Sequence, residues 1–124
     1  MIKFDELSNK VIGLAIDVHR ELGPGLLEST YQQCLSYELS KNNIKFELEK
    51  ELPVKYKDVV INCGYRIDLL IENKLILELK CVEKLVPIHE AQILTYMKLA
   101  KIKTGLLINF NVQMLKNGIK RFVL

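Results

Sequence analysis

Apolar positions along the chain fall first at helical spacing and then at strand spacing. Phe4, Leu7, Val11, Leu14 and Val18 recur every three or four residues and predict an amphipathic helix over about 5–22, stopped by Gly23-Pro24-Gly25. Leu27, Tyr31, Leu35 and Leu39 repeat the pattern over about 26–42, where Asn42-Asn43 closes it. From Ile44 the texture changes to alternation. Phe46, Leu48, Leu52, Val54 and Tyr56 read as one long or bent strand with Pro53 near an edge position. Residues 59–71 read as its hairpin partner across Lys57-Asp58, with Gly64 at a bulge or close approach. Glu72-Asn73-Lys74 then turns the chain into a strand over 75–82. Pro87 opens a third helix to about Ala100, with Ile88, Gln92, Tyr96 and Leu99 on one stripe. A buried-type strand follows over 104–110, and the tail turns at Asn117-Gly118 before an optional short strand over 119–123.

The resulting order, α-α-β-β-β-α-β with an optional last strand, predicts a three-layer α/β sandwich around a central mixed sheet. Hairpin turns make the first three strands antiparallel, and the helix between the third and fourth makes that pair parallel by a right-handed crossover. Neither repeats nor linkers interrupt the 124 residues, so 1–124 reads as a single domain.

Candidate chemistry gathers on Leu75-Ile76-Leu77-Glu78-Leu79-Lys80. On a pleated strand Glu78 and Lys80 project from one face while Leu75, Leu77 and Leu79 project from the other. Charges on so apolar a run cost several kcal/mol unless they are paired or bound to an ion. Asp68 occupies a similar place in Arg66-Ile67-Asp68-Leu69-Leu70-Ile71, so Asp68, Glu78 and Lys80 are expected to converge at one end of the sheet. Two adjacent carboxylates need a neighbouring cation, and an all-oxygen donor set suits Mg2+ or Mn2+. The bland alternative is a structural ion-pair cluster. Glu28 shares one side of the second helix, near its start, with Gly25 and Tyr31; attraction to the helix dipole accounts for an acid there equally well.

Composition narrows the classes. At 49% hydrophobic and 27% charged, the chain is neither disordered nor fibrous, and a net charge of +3 permits a polyanionic partner without demanding one. No apolar stretch reaches membrane-spanning length and Met1-Ile2-Lys3-Phe4 lacks a secretion-signal core, so a cytoplasmic location without membrane contact is expected. Cys34, Cys63 and Cys81 lack metal or disulfide spacing and read as reduced core residues. His19 and His89 have no partner at ligand spacing, and Lys98, Lys101, Lys103, Lys116, Lys120 and Arg121 read as a solvated face.

Asp68, Glu78-Leu79-Lys80 and the order of elements together resemble the PD-(D/E)XK nuclease superfamily. Gly25-Leu26-Leu27-Glu28-Ser29-Thr30-Tyr31 is similar to the motif naming its GxxExxY family, and Gln92-x-x-x-Tyr96 to a motif of the recombination-exonuclease and lambda-exonuclease branch. The likeness spans Val11 to Phe122 and implies a restriction-endonuclease-like core. It implies Asp68, Glu78, the Leu79 carbonyl and Glu28 as metal ligands, and Lys80 as the group holding the attacking water. Gln92 and Tyr96 would orient the site or touch a phosphate. The implied activity is divalent-metal-dependent hydrolysis of phosphodiester bonds, of DNA in preference to RNA; separately, one domain of this size offers limited contact area, which leaves room for pairing as a homodimer. Two other classes stay open: a catalytically silent module binding nucleic acid or a protein partner, and a metal-dependent hydrolase or accessory protein with another substrate. The chain has Glu28 where some exonuclease-branch members carry a histidine, and it lacks the cysteine cluster of some relatives.

Overall fold

A computed structural model describes residues 5–124; Phe4, the first position of the predicted helical stripe, and Met1–Lys3 lie outside the described residues. Helix α1 spans Glu6–Leu22. Asp5 caps it, its carboxylate accepting the Ser8 amide at 2.9 Å and the Ser8 hydroxyl at 2.8 Å. Gly23, at φ 72°, ends the helix in a left-handed turn and returns its amide to the His19 carbonyl.

Helix α2, Glu28–Lys41, starts two residues later than its spacing predicts. The cause is Tyr31: its hydroxyl donates to the Gly23 carbonyl at 2.5 Å and accepts the Leu26 amide at 3.2 Å, pinning the Gly-Pro-Gly turn to the helix. The Tyr31 ring is fully buried and stacks on Phe110 with centroids 4.4 Å apart. Gly25 therefore lies in the turn, at φ 97°, rather than on the helix with Glu28. Leu27, expected on the apolar stripe, is the exposed N-cap.

The predicted long hairpin is broken in two. Strand β1 is Phe46–Glu51, β2 Val54–Tyr56, β3 Val59–Ile61 and β4 Arg66–Ile71. β1 pairs antiparallel with β4, whereas β2 and β3 form a separate two-stranded ribbon. Pro53 has no amide to give a ladder, so the alternation that runs through Leu52 and Val54 does not make one strand. Gly64 is neither a ladder bulge nor a close approach: it sits at φ 80° in the loop before β4, with open space around it.

Strand β5, Leu75–Lys80, lies between antiparallel β4 and parallel β6, Thr104–Asn109. Helix α3, Pro87–Ala100, makes the crossover, and β7, Ile119–Val123, closes the sheet in the order β1-β4-β5-β6-β7. The central mixed sheet and the layers on its two faces are those the pattern predicts. α1 and α2 bury Leu69, Ile71, Leu75, Leu77, Leu79, Leu106 and Ile108 from one side. α3 covers Leu70, Ile76 and Leu107 from the other through Ile93, Tyr96 and Met97. Gly105 lets α3 sit this close, since a Cβ there would meet Met97 Sδ at 2.7 Å.

The stripe Ile88, Gln92, Tyr96 and Leu99 is thus not the buried face of α3, apart from Tyr96; Ile88 is 70% exposed. Both histidines are held by backbone, His19 Nε2 on the Val112 carbonyl at 2.8 Å and His89 Nδ1 accepting the Val86 amide at 3.1 Å. All three cysteines are free, but Cys63 is exposed rather than in the core. Of the basic residues expected to be solvated, Lys120 pairs with Glu90 at 2.6 Å and Arg121 with Asp5 at 2.5 Å. Among the described residues no helix is long and apolar enough to cross a membrane.

Candidate active site

The β4–β5 ladder runs through Leu69 opposite Leu77 and stops there, one step before Asp68 would face Glu78. Side chains replace the missing rungs. The Asp68 amide donates to Glu78 Oε2 at 2.7 Å, and the Leu79 amide donates to Asp68 Oδ2 at 2.8 Å. Each carboxylate therefore holds the other's strand, and the strands splay at the end where both acids meet. On the opposite edge of β4, Leu48 pairs with Leu69 and Lys50 with Ile67, but the step between them, Glu49 beside Asp68, is skipped. Glu49 has φ 50°, a left-handed conformation costly for a residue with a side chain. Gln32 of α2 ties this region together, its Nε2 donating to Glu49 Oε1 at 3.0 Å and to the Asp68 carbonyl at 3.1 Å.

Three strands thus bring Glu49, Asp68 and Glu78 into one row. Glu78 is only 3% exposed, and Asp68 is half-buried. Loss of water raises the pKa of Asp68; the Leu79 amide opposes the rise, Glu49 and Glu28 add to it, and Lys80 offsets part of it. Glu78 is raised as well, by burial first and then by the Asp68 charge, against the Asp68 amide and Lys80. Asp68 Oδ1 and Glu78 Oε1 take no hydrogen bond from the described residues, and neither is sealed away from solvent.

Lys80 lies on the same face of β5 but does not neutralise the acids at contact range. None of the ion pairs among the described residues involves Asp68, Glu78 or Lys80. The buried ion-pair cluster considered from sequence is therefore not what forms. Instead Lys80 Nζ donates to Gln92 Oε1 at 3.2 Å, and Gln92 Nε2 donates to the Tyr96 hydroxyl at 3.2 Å. Burial raises the Tyr96 pKa, with the Gln92 bond opposing it.

The structure brings together Asp68, Glu78, the Leu79 backbone, Lys80, Gln92 and Tyr96. Glu28 stands apart as the exposed first residue of α2, close enough to disfavour ionisation of Asp68 but without a hydrogen bond to it. Among the described residues no three histidine, cysteine, aspartate or glutamate side chains gather as a ready metal cage.

Three residues of the site were not singled out from sequence. Glu49 and Gln32 carry no local signal, because their role depends on which strand lies beside β4. Asn109 did carry one, as a polar residue within the apolar run 104–110. Only 2% exposed, it donates to the Val82 carbonyl at 2.9 Å and accepts the Val82 amide at 3.1 Å, fixing the chain as it leaves Lys80.

A mixed sheet sandwiched between helices, with two acids and a lysine at a splayed strand end, defines a restriction-endonuclease-like protein. The family profile described as the PD-(D/E)XK nuclease superfamily matches residues 5–122, and the chain belongs to that superfamily. Its members are nucleases that generally use divalent metals. No curated protein and no solved structure matches the chain.

Proposed function

We propose that this protein is a divalent-metal-dependent nuclease of the GxxExxY group that hydrolyses phosphodiester bonds in DNA. The observation that carries the reading is the carboxylate pair of half-buried Asp68 and buried Glu78. Each keeps one oxygen uncommitted, burial disfavours the ionisation of both and the Asp68 charge that of Glu78, and among the described residues no cation stands at ion-pair distance. Two carboxylates that resist ionisation together are completed by a divalent ion.

The donor set fits Mg2+ or Mn2+, since Mg2+ commonly takes one or two carboxylates and keeps several waters. Asp68 Oδ1 and Glu78 Oε1 would hold it. The Leu79 carbonyl shares the strand edge of the Leu79 amide, which points to Asp68, and would add a third oxygen. Glu28 would reach the ion's outer waters from the start of α2. A bound ion of this kind supplies an acidified water and partial neutralisation of the phosphate.

The protein's own groups supply the rest. Lys80, steadied by Gln92, sets a positive charge beside the acids, where it would orient the attacking water and stabilise charge developing on the scissile phosphate. Tyr96 fixes the other end of the Gln92 amide, so the glutamine presents its oxygen to the lysine. Residues 1–124 act in this reading as one cytoplasmic nuclease domain.

Purified protein incubated with supercoiled, linear, single-stranded and junction DNA in Mg2+ or Mn2+ should cleave at least one of them, and Lys80→Ala should do so at least about a hundredfold more slowly. Cleavage at the native rate in Lys80→Ala would refute the assignment. Calorimetric titration with Mn2+ should give binding to the native chain that Asp68→Asn abolishes.

A further inference from the structure

We infer that the groove between residues 54–65 and α3 binds an unstacked nucleobase beside the scissile phosphate, so that strands with unpaired bases are the preferred substrates. The inference rests on the nuclease reading and adds to it the class of nucleic acid. The groove encloses about 600 Å³, within the range of small-molecule sites. Val54, Cys63, Tyr65, Ile88, Tyr96 and Leu99 form its walls.

Its lining contains no lysine, arginine, aspartate or glutamate. A track for phosphates needs a row of cations, and the one basic side chain in this lining is the His89 imidazole, whose Nδ1 is taken by the Val86 amide. It offers two aromatic rings instead. Tyr65 and Tyr96 lie 6.1 Å apart with planes inclined at 59°, making an angled wall against which a planar ring can rest. Tyr65 is 47% exposed although it is large and apolar over most of its surface.

The groove is continuous with the candidate active site, because Gln92 and Tyr96 line it and also form the relay to Lys80. A strand whose phosphate sits between Lys80 and the acids would bring its neighbouring base to this opening. The α3 positions Ile88, Gln92, Tyr96 and Leu99, whose spacing mimics a core stripe, are the helical side of the groove. Stacking on aromatic side chains tolerates any base, which suits recognition without sequence preference. Bases in a duplex are already stacked and must be extracted at a cost, so single strands, frayed ends and flaps have the advantage.

The test measures binding by fluorescence anisotropy in EDTA, using a short labelled single strand and its blunt duplex. The native protein should favour the single strand. Tyr65→Ala should weaken single-strand binding by about tenfold or more. Tyr65→Phe should retain it, and neither change should alter binding of the duplex. Equal affinity for both DNAs, or no loss in Tyr65→Ala, would overturn the inference. So would a concentration-dependent dimer that Tyr65→Ala dissociates, since the groove would then receive a second copy of the chain. Cleavage in Mg2+, with Lys80→Ala as control, is scored separately. Cleavage without a Tyr65 effect defeats the groove alone, and Tyr65-dependent binding without cleavage defeats the nuclease reading alone.

Discussion

Replacing Glu78 by glutamine should stabilise the metal-free protein while destroying its response to metal. The native carboxylate is 3% exposed and faces Asp68, so burial and its neighbour both oppose its ionisation. Glutamine removes the charge but retains an oxygen to accept the Asp68 amide, now 2.7 Å from Glu78 Oε2. A tenfold displacement of a protonation equilibrium is worth about 1.4 kcal/mol, so relief of this carboxylate is worth roughly 2–4 kcal/mol at pH 8. In a chain of this length that is a rise in Tm of roughly 5–15 °C.

The pH dependence has a definite sign. Asp68 is pushed up to about 6 and Glu78 to about 8 in the folded state, so the folded chain binds more protons than the unfolded one between the ordinary carboxylate range and about pH 8. Native stability without metal is therefore greatest on the acid side of that window and falls as pH rises through it. Glu78→Gln should flatten this fall. Mg2+ at about a hundred times its Kd should stabilise the native chain by about 2.7 kcal/mol at pH 8 and leave the variant unchanged. Thermal melts at pH 5 and pH 8, with EDTA or Mg2+, measure all of these. A variant less stable than the native chain in EDTA at pH 8, with an intact Mg2+ shift, would refute the reasoning.

Lys80→Ala should lower kcat by about 10²–10³-fold while Mn2+ calorimetry stays close to native, separating the lysine's role from that of the acids. Glu49→Gln should weaken Mn2+ binding by about tenfold, read by the same calorimetry, because it removes a negative charge beside Asp68. Tyr31→Phe should cost about 1–3 kcal/mol in urea denaturation, since it takes the partner from the Gly23 carbonyl and the Leu26 amide while keeping the stack on Phe110.

The central part of this architecture was legible because periodicity and burial agree there. Glu78 and Lys80 interrupt an apolar strand at alternate positions, and the fold places both on the α3 face of β5, beside Asp68 and Gln92. The ends of elements were less legible. Leu27 keeps helical spacing, but Tyr31 binds the turn before it and leaves Leu27 outside the helix. Alternation continues across Pro53 although pairing does not. Glu49 was out of reach for a different reason. Its place depends on β1 pairing with β4 across an intervening ribbon, and on a backbone angle that no local pattern announces.

The connector from β5 to α3 is fastened twice, by Asn109 on Val82 at its beginning and by His89 on Val86 at its end. These clips act as a registration gauge between helix and sheet. A slip of α3 by one turn would carry Gln92 about 5.4 Å along its axis, beyond any grasp of Lys80. Damage at Asn109, which touches neither acid, would then masquerade as a chemical defect in an otherwise well-folded protein.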